Sequence, residues 1–380
     1  MDSNVRRIAL EKGKKTVILM LDGFGIDYFR ASDMPALKKM AQDGFYREGK
    51  AVFPTLTNAN NISIVCGSFP QTHGVTTNCY LDPITGKPAF LEDPGFLKSP
   101  TLFEMAARKG IRSALVTSKS KTIRILGGSV DSGLSAQDAD PETIRDFGSP
   151  PDIYSIEVNE WIMRSGMKIL QNRPDIDILY IHTTDYPMHM WAPEDERSLD
   201  HLSRLDGLIG EMADRYPDAT FLVTADHGMN PKKECLDLEK ILWAAGFPIR
   251  AAISPVADRL VKHHGGHGGV SYIYLADRSC RDEILDFLSG LNGVDTVLPS
   301  EEAATCYRLD RDRIGDIVVG ADPETVFGSL EQERTELHDG YRNHGSRFEE
   351  SIPLIAWNAR LRETDSIQYN LDLTRALFFE

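Results

Sequence analysis

An α/β fold is the class this sequence predicts: a mostly parallel sheet flanked by helices, with a smaller α+β cap inserted late in the chain. Three observations lead there. First, a strand-length apolar run precedes each of Asp22, Asp185 and Asp226. Such continuous runs read as strands buried on both faces, which is the signature of a parallel sheet covered by helices. Second, helical stretches alternate with these runs, as crossover connections require. Third, beyond Ala245 the pattern changes to a compact group of short strands and helices. The carboxyl edge of an open α/β sheet is where ligands bind, so the three carboxylates are expected to meet there.

Taken in order, the run from Thr16 to Leu21 is the first core strand, and it leads through Gly23-Phe24-Gly25 into a helix containing Met34 to Met40. The Gly-x-Gly lacks the third glycine that a dinucleotide loop needs. After Ala51-Val52-Phe53, Pro54-Thr55 starts a turn, and Thr57 precedes a helix from Ala59 to Cys66. Alone, Thr57 reads as an N-cap that satisfies first-turn amides. The same geometry lets those amides and the helix dipole face a phosphate beside the hydroxyl.

A helix from Leu102 to Lys109 and a strand from Arg112 to Thr117 come next, followed by Lys119 and Lys121. Lysines after a strand end are usually solvated, yet on the ligand-binding edge they could hold an anionic group. The stretch 131–152, rich in Gly, Asp, Ser and Pro, reads as a long surface loop. A helix from Ile156 to Gln171 then feeds the strand before Asp185. Asp185 and His189 are four apart, so one helical turn puts both on one face, able to share a metal. Pro187 between them fits only a loop or a first turn. Asp226 and His227 are adjacent and could reach one ion from two directions. A helix from Asp237 to Ala245 closes the first part of the core, expected to comprise 1–247 and 336–380. The cap, 248–335, holds strands at Ile249 to Ile253, Val270 to Leu275, Val294 to Leu298 and Asp316 to Val319, with helices from Arg281 and Glu301. The chain returns through Asn343-His344-Gly345-Ser346 to a last strand, Ile352 to Trp357.

Composition narrows the function. With 380 residues, 41% hydrophobic and 26% charged, the chain exceeds one typical core and has ordinary globular composition. Its net charge of −15 argues against nucleic acid or an anionic membrane as partner. A local site can still be positive inside an acidic protein. Five scattered cysteines, never spaced as CxxC, indicate reduced thiols and a cytoplasmic location, and the stretch Met1 to Lys15 shows neither a secretory signal nor a membrane span.

Leu21-Asp22-Gly23-Phe24, Phe53-Pro54-Thr55-Leu56-Thr57, Thr72-His73-Gly74-Val75 through Asn78, Asp185-x-x-x-His189, Ala225-Asp226-His227-Gly228-Met229 and Asn343-His344-Gly345 together resemble the alkaline phosphatase superfamily, in its nucleotide pyrophosphatase/phosphodiesterase branch. Within that branch, Thr183-Thr184-Asp185-Tyr186, Asp93-Pro94-Gly95-Phe96-Leu97, the two lysines and His263-His264-Gly265-Gly266 resemble the phosphonoacetate hydrolases. The resemblance implies two zinc ions, one held by Asp185, His189 and His344, the other by Asp22, Asp226 and His227 with the Thr57 oxygen. A donor set of Asp and His also accepts manganese. It further implies Thr57 as nucleophile through a phospho-threonine, and Asn78, Lys119, Lys121 and His264 as substrate contacts. The expected substrate is a small anionic phosphonate, phosphonoacetate first, with a nucleotide or other phosphate ester as the alternative. A homodimer is compatible with this reading.

Overall fold

The computed structural model describes residues 12–258, 265–361 and 364–378. In chain order its main strands are β1 (Thr16–Met20), β2 (Phe45–Lys50), β3 (Arg112–Thr117), β4 (Ser132–Ser135), β5 (Ile176–His182), β6 (Thr220–Thr224), β7 (Ile249–Ile253), β8 (Val270–Leu275), β9 (Val294–Pro299), β10 (Ile317–Ala321) and β11 (Ser351–Trp357). The helices that matter for the site are α1 (Pro35–Asp43), α2 (Thr57–Cys66), α3 (Ser120–Leu126), α4 (Glu157–Asn172), α5 (Tyr186–Met190), α6 (Glu196–Arg215) and α7 (Asn370–Phe378).

A seven-stranded sheet in the order β2-β11-β6-β1-β5-β3-β4 forms the main layer. The strands from β6 to β4 run parallel, and β11 lies antiparallel between β6 and β2. The central strands β1, β5 and β6 are buried at every position, which is why their sequences are unbroken apolar runs and not alternating ones. Helices α4, α6 and α1 pack together over the sheet, while α2 packs against α7. Met34 gives α1 no side-chain cap. Instead, buried Asp206 on α6 accepts hydrogen bonds from the backbone N–H groups of Ala36 and Leu37 at 2.9 and 2.8 Å, so the first-turn amides are satisfied across the helix pair.

Two parts of this layer differ from the sequence reading. The stretch 131–152 is not one loop, because Ser132–Ser135 pairs with β3 as an edge strand and Pro141–Phe147 is a helix capped by Asp140. Its small and polar residues suit a half-exposed edge. Strand β2, with sequence FYREGK, has no apolar run either, and it too is an edge.

A second, four-stranded antiparallel sheet has the order β7-β8-β10-β9. Its apolar cluster joins Ile273, Leu275, Ile317 and Val319 to Leu236, Leu238, Ile241 and Leu242, which precede residue 248. Phe53, four residues before Thr57, packs into this sheet's other cluster with Val270, Tyr272 and Val318, so the smaller layer supports the loop that enters α2. Among the described residues no helix is long and apolar enough to cross a membrane.

Candidate active site

Parallel register gathers the three aspartates. Met20 on β1 is aligned with His182 on β5 and with Thr224 on β6, and Asp22, Asp185 and Asp226 follow these positions by two, three and two residues. They therefore emerge side by side at the carboxyl edge. The loops are tied to one another: the Asp22 N–H donates to Thr183 Oγ1 at 2.9 Å, and the Gly23 N–H donates to Asp226 Oδ1 at 3.0 Å. Gly23 has φ of +73°, and a Cβ there would stand 3.1 Å from the Asp185 Cβ. Only glycine serves both needs.

Three histidines face these carboxylates with one tautomer. The Nδ1–H groups of His189, His227 and His344 donate to the carbonyl oxygens of Arg342, Gly228 and Thr55 at 2.8, 3.0 and 2.7 Å. A carbonyl can only accept, so in a neutral ring each Nε2 carries the lone pair. Those lone pairs point at carboxylate oxygens: His189 Nε2 at 2.9 Å and His344 Nε2 at 3.7 Å from Asp185 Oδ2, and His227 Nε2 at 3.3 Å from Asp226 Oδ2 and 3.6 Å from Asp22 Oδ1. Acceptor facing acceptor is unfavourable unless a cation or a proton lies between. Asp22 Oδ1 and Asp226 Oδ2, both fully buried, have no hydrogen-bond donor among the described residues. Two sets of donor atoms converge closely enough to share an ion, Asp22 with Asp226 and His227, and Asp185 with His227 and His344. His227 thus lies within reach of both centres, stacked on His344 with ring centroids 3.6 Å apart.

Charge balance agrees with the donor geometry. Lys119 Nζ is 3.5 Å from Asp22 and 3.9 Å from Asp185, so one ammonium stands against three buried carboxylates. The remaining negative charge is costly in a desolvated site without bound cations. Burial and the charge of Asp22 push the Asp226 carboxyl well above the usual range. Asp22 itself is held below that range: burial and Asp185 work against its ionisation, but Lys119 and His182 prevail. Burial, reinforced by the rings of His227 and His189, keeps the His344 imidazole neutral. The residues present fit divalent cations.

Thr57 is the first residue of α2, not its cap; Leu56 holds the cap position and makes no side-chain bond. The cap reading of Thr57 is thereby corrected. Its hydroxyl is 3.3 Å from His227 Nε2, beside the donor cluster. The preceding turn is pinned by Asn60, which bridges the Val52 N–H and C=O, and by Thr55, whose hydroxyl donates to the Ser346 carbonyl and accepts from the Gly345 N–H. Asn78 accepts from Asn58 Nδ2 at 2.7 Å. Thr57, Asn78, Lys119, Lys121, Asp185 and His344 all line one cleft with a cavity of about 30 Å³. Neither lysine is solvated: the Lys119 side chain is 16% exposed and that of Lys121 6%. The solvated reading is corrected as well, since the turn into α3 aims both inward. His264 lies outside the described residues.

Sequence reasoning missed four residues. His182 ends β5, accepts at Nδ1 from Asn61 Nδ2 and the Thr117 hydroxyl, and holds Nε2 3.2 Å from Asp22 Oδ2. Tyr180 donates to Asn61 Oδ1 at 2.6 Å, which extends the chain into α2. Glu349 accepts from Lys232 Nζ and Asn230 Nδ2 with one oxygen, and from the Ser346 N–H and Oγ–H with the other, all at 2.7–2.9 Å. Its carbonyl also accepts from the Gly228 N–H at 2.7 Å, so one residue ties the His227 loop to the His344 loop. Asp258 pairs with Lys121 at 2.7 Å. The only local hint was the Ser346-x-x-Glu349 spacing of a capping box.

A family model described as type I phosphodiesterase / nucleotide pyrophosphatase matches residues 16–347. Among solved structures, phosphonoacetate hydrolase from Sinorhizobium meliloti 1021, in complex with phosphonoformate and with phosphonoacetate, superposes with a TM-score of 0.88 at 31% identity, covering 98% of this chain and 96% of that one. The alkaline phosphatase PafA shares the fold, with a TM-score of 0.70 over 96% of this chain and 95% of that one, at 15% identity. The human bis(5'-adenosyl)-triphosphatase ENPP4 is 25% identical over 260 residues, 65% of this chain and 55% of that protein. The chain spans about half the length of the curated relatives it matches. The protein therefore belongs to the type I phosphodiesterase / nucleotide pyrophosphatase family, a branch of the alkaline phosphatase superfamily.

Proposed function

We propose that this protein cleaves the C–P bond of phosphonoacetate to acetate and phosphate through a phospho-threonine on Thr57. The observation that carries the reading is the pair of lysines, half-buried Lys119 and buried Lys121, lining the same cleft as Thr57 and Asn78. A phosphonate has a carbon leaving group, and a bare carbanion leaves far less readily than an alkoxide. In phosphonoacetate the departing CH2 is conjugated to a carboxylate, so its electron pair spreads onto oxygen, where an ammonium can stabilise it.

Thr57 Oγ attacks phosphorus as its proton passes to solvent, the C–P electron pair moves to carbon, and the carbanion takes a proton from water to give acetate. Water then releases phosphate and restores the hydroxyl. Asn78 donates to a phosphoryl oxygen. Asp22, Asp226 and His227, with Thr57, and Asp185, His189 and His344 would hold two zinc ions, which supply charge neutralisation and lower the pKa of oxygen nucleophiles. Manganese is the second candidate for the same donors.

The curated relatives favour a second reading, a phosphodiesterase or phosphomonoesterase acting on a nucleotide or other small ester. A base needs a ring to stack on, and among the described residues no Phe, Tyr or Trp lines the cleft. The test is a comparison of leaving groups. Lys119→Ala and Lys121→Ala are expected to reduce phosphonoacetate turnover by about 2.7–4 kcal/mol in the barrier, as for loss of one charge-stabilising donor, and hydrolysis of p-nitrophenyl phosphate far less. Equal losses on both substrates would assign the lysines to the phosphoryl group or to the fold.

A further inference from the structure

We infer that Asp258 is a built-in competitor for the substrate's carboxylate: it occupies the anion subsite on Lys121 and is exchanged for a carboxylate that the ligand brings. This rests on the reading of the cleft as a phosphonate site and adds the residue that selects within it. Lys121 Nζ and Asp258 Oδ2 are 2.7 Å apart, each side chain only 6% exposed. Both line the cleft with Thr57 and Asn78. The segment that carries Asp258 is tied down next to the phosphoryl contact, since the Asn78 N–H donates to the Pro255 carbonyl at 2.8 Å and Asn78 Nδ2 to that of Val256 at 3.4 Å.

Two consequences follow from these contacts. The cavity of about 30 Å³ has room for about two waters, at about 10–15 Å³ each, and Asp258 lines it while paired with Lys121, so a ligand carboxylate reaches that ammonium in full only when Asp258 withdraws. Withdrawing Asp258 with nothing in its place leaves a buried ammonium uncompensated. A ligand carboxylate removes that penalty, because one anion replaces another on the same ammonium. A phosphonate without a carboxylate offers no exchange and leaves the Lys121–Asp258 pair closed. Asp258 thus couples opening of the subsite to the presence of a second anionic group on the ligand.

The experiment is calorimetry on zinc-loaded protein carrying Thr57→Ala, with and without Asp258→Asn, titrated with phosphonoacetate and with methylphosphonate. Removing the competitor is expected to lower the Kd of phosphonoacetate about tenfold or more, as for any tax on the binding-competent state, and to change that of methylphosphonate much less. Asp258→Ser, of smaller size, should act in the same direction, and thermal melts check that both variants fold. Weaker phosphonoacetate binding in both variants would overturn the inference and make Asp258 a positioning residue for Lys121. An equal change for both ligands would overturn it too. If methylphosphonate binds and phosphonoacetate does not, with or without Asp258, the substrate reading itself fails.

Discussion

Thr57 stands at the first position of α2 with its hydroxyl turned to His227 and none of its own helix's amides on it. Removing that hydroxyl therefore costs no cap. Thr57→Ala is expected to abolish turnover while stability falls by only about 1 kcal/mol, the loss of one buried hydroxyl contact, and while zinc uptake persists. A variant that melts earlier but still turns over would make Thr57 structural. His73 offers a test at another residue. Its Nδ1 accepts from the Val75 N–H at 3.1 Å, so Nε2 carries the proton toward Ser63 Oγ at 2.8 Å. Burial pushes its pKa down to about 3 from 6.5, and a second proton would confront the Val75 N–H. The folded chain thus refuses a proton that the unfolded chain accepts, and this stabilisation is full above pH 6.5 and fades as pH falls toward 3. His73→Asn is expected to remove about 1.4 kcal/mol per pH unit of the acid-side slope in urea melts between pH 6 and 4; an unchanged slope would mean that His73 is already protonated in the fold. Asp22, Asp185 and Asp226 were legible because each follows an apolar strand. His182 and Asp258 were not, since their partners Asp22 and Lys121 lie 160 and 137 residues away.

At the scale of elements, the two histidine loops depend on a clasp that no local pattern reveals. Lys232 and Glu349 form a pair with both side chains fully buried, and Glu349 reaches the His227 and His344 loops together. Lys232→Met leaves Glu349 without its counter-charge and is expected to cost about 3–5 kcal/mol in urea denaturation, as broken buried pairs do. Lys232→Met with Glu349→Leu should recover much of that stability and still bind zinc more weakly in a chelator competition, because Ser346 and Asn230 lose their acceptor. Unchanged zinc affinity in the double variant would show that the clasp does not position the loops. The core strands were readable since burial on both faces forces continuous apolar sequence. Strands β2 and β4 escaped because an edge strand needs no such run, and the antiparallel course of β11 escaped because strand direction depends on the connection and not on composition.

For the whole molecule, charge decides what the fold can do. A chain with a net charge of −15 places three carboxylates and three lone-pair imidazoles at one sheet edge, an arrangement stable in its ionised form only with cations bound. Exhaustive chelation is expected to abolish turnover, and readdition of zinc to restore it with two ions per chain. His344→Ala should lose mainly one of them, because the expected shell of that ion falls from three protein ligands to two. Full activity after metal removal would contradict the bimetallic site. The most direct measurement is product analysis with the zinc-loaded wild-type protein on phosphonoacetate, beside p-nitrophenyl phosphate. The expected result is equimolar acetate and phosphate from phosphonoacetate; hydrolysis of the aryl ester with no phosphate released from phosphonoacetate would contradict C–P cleavage and leave a phosphate-ester hydrolase.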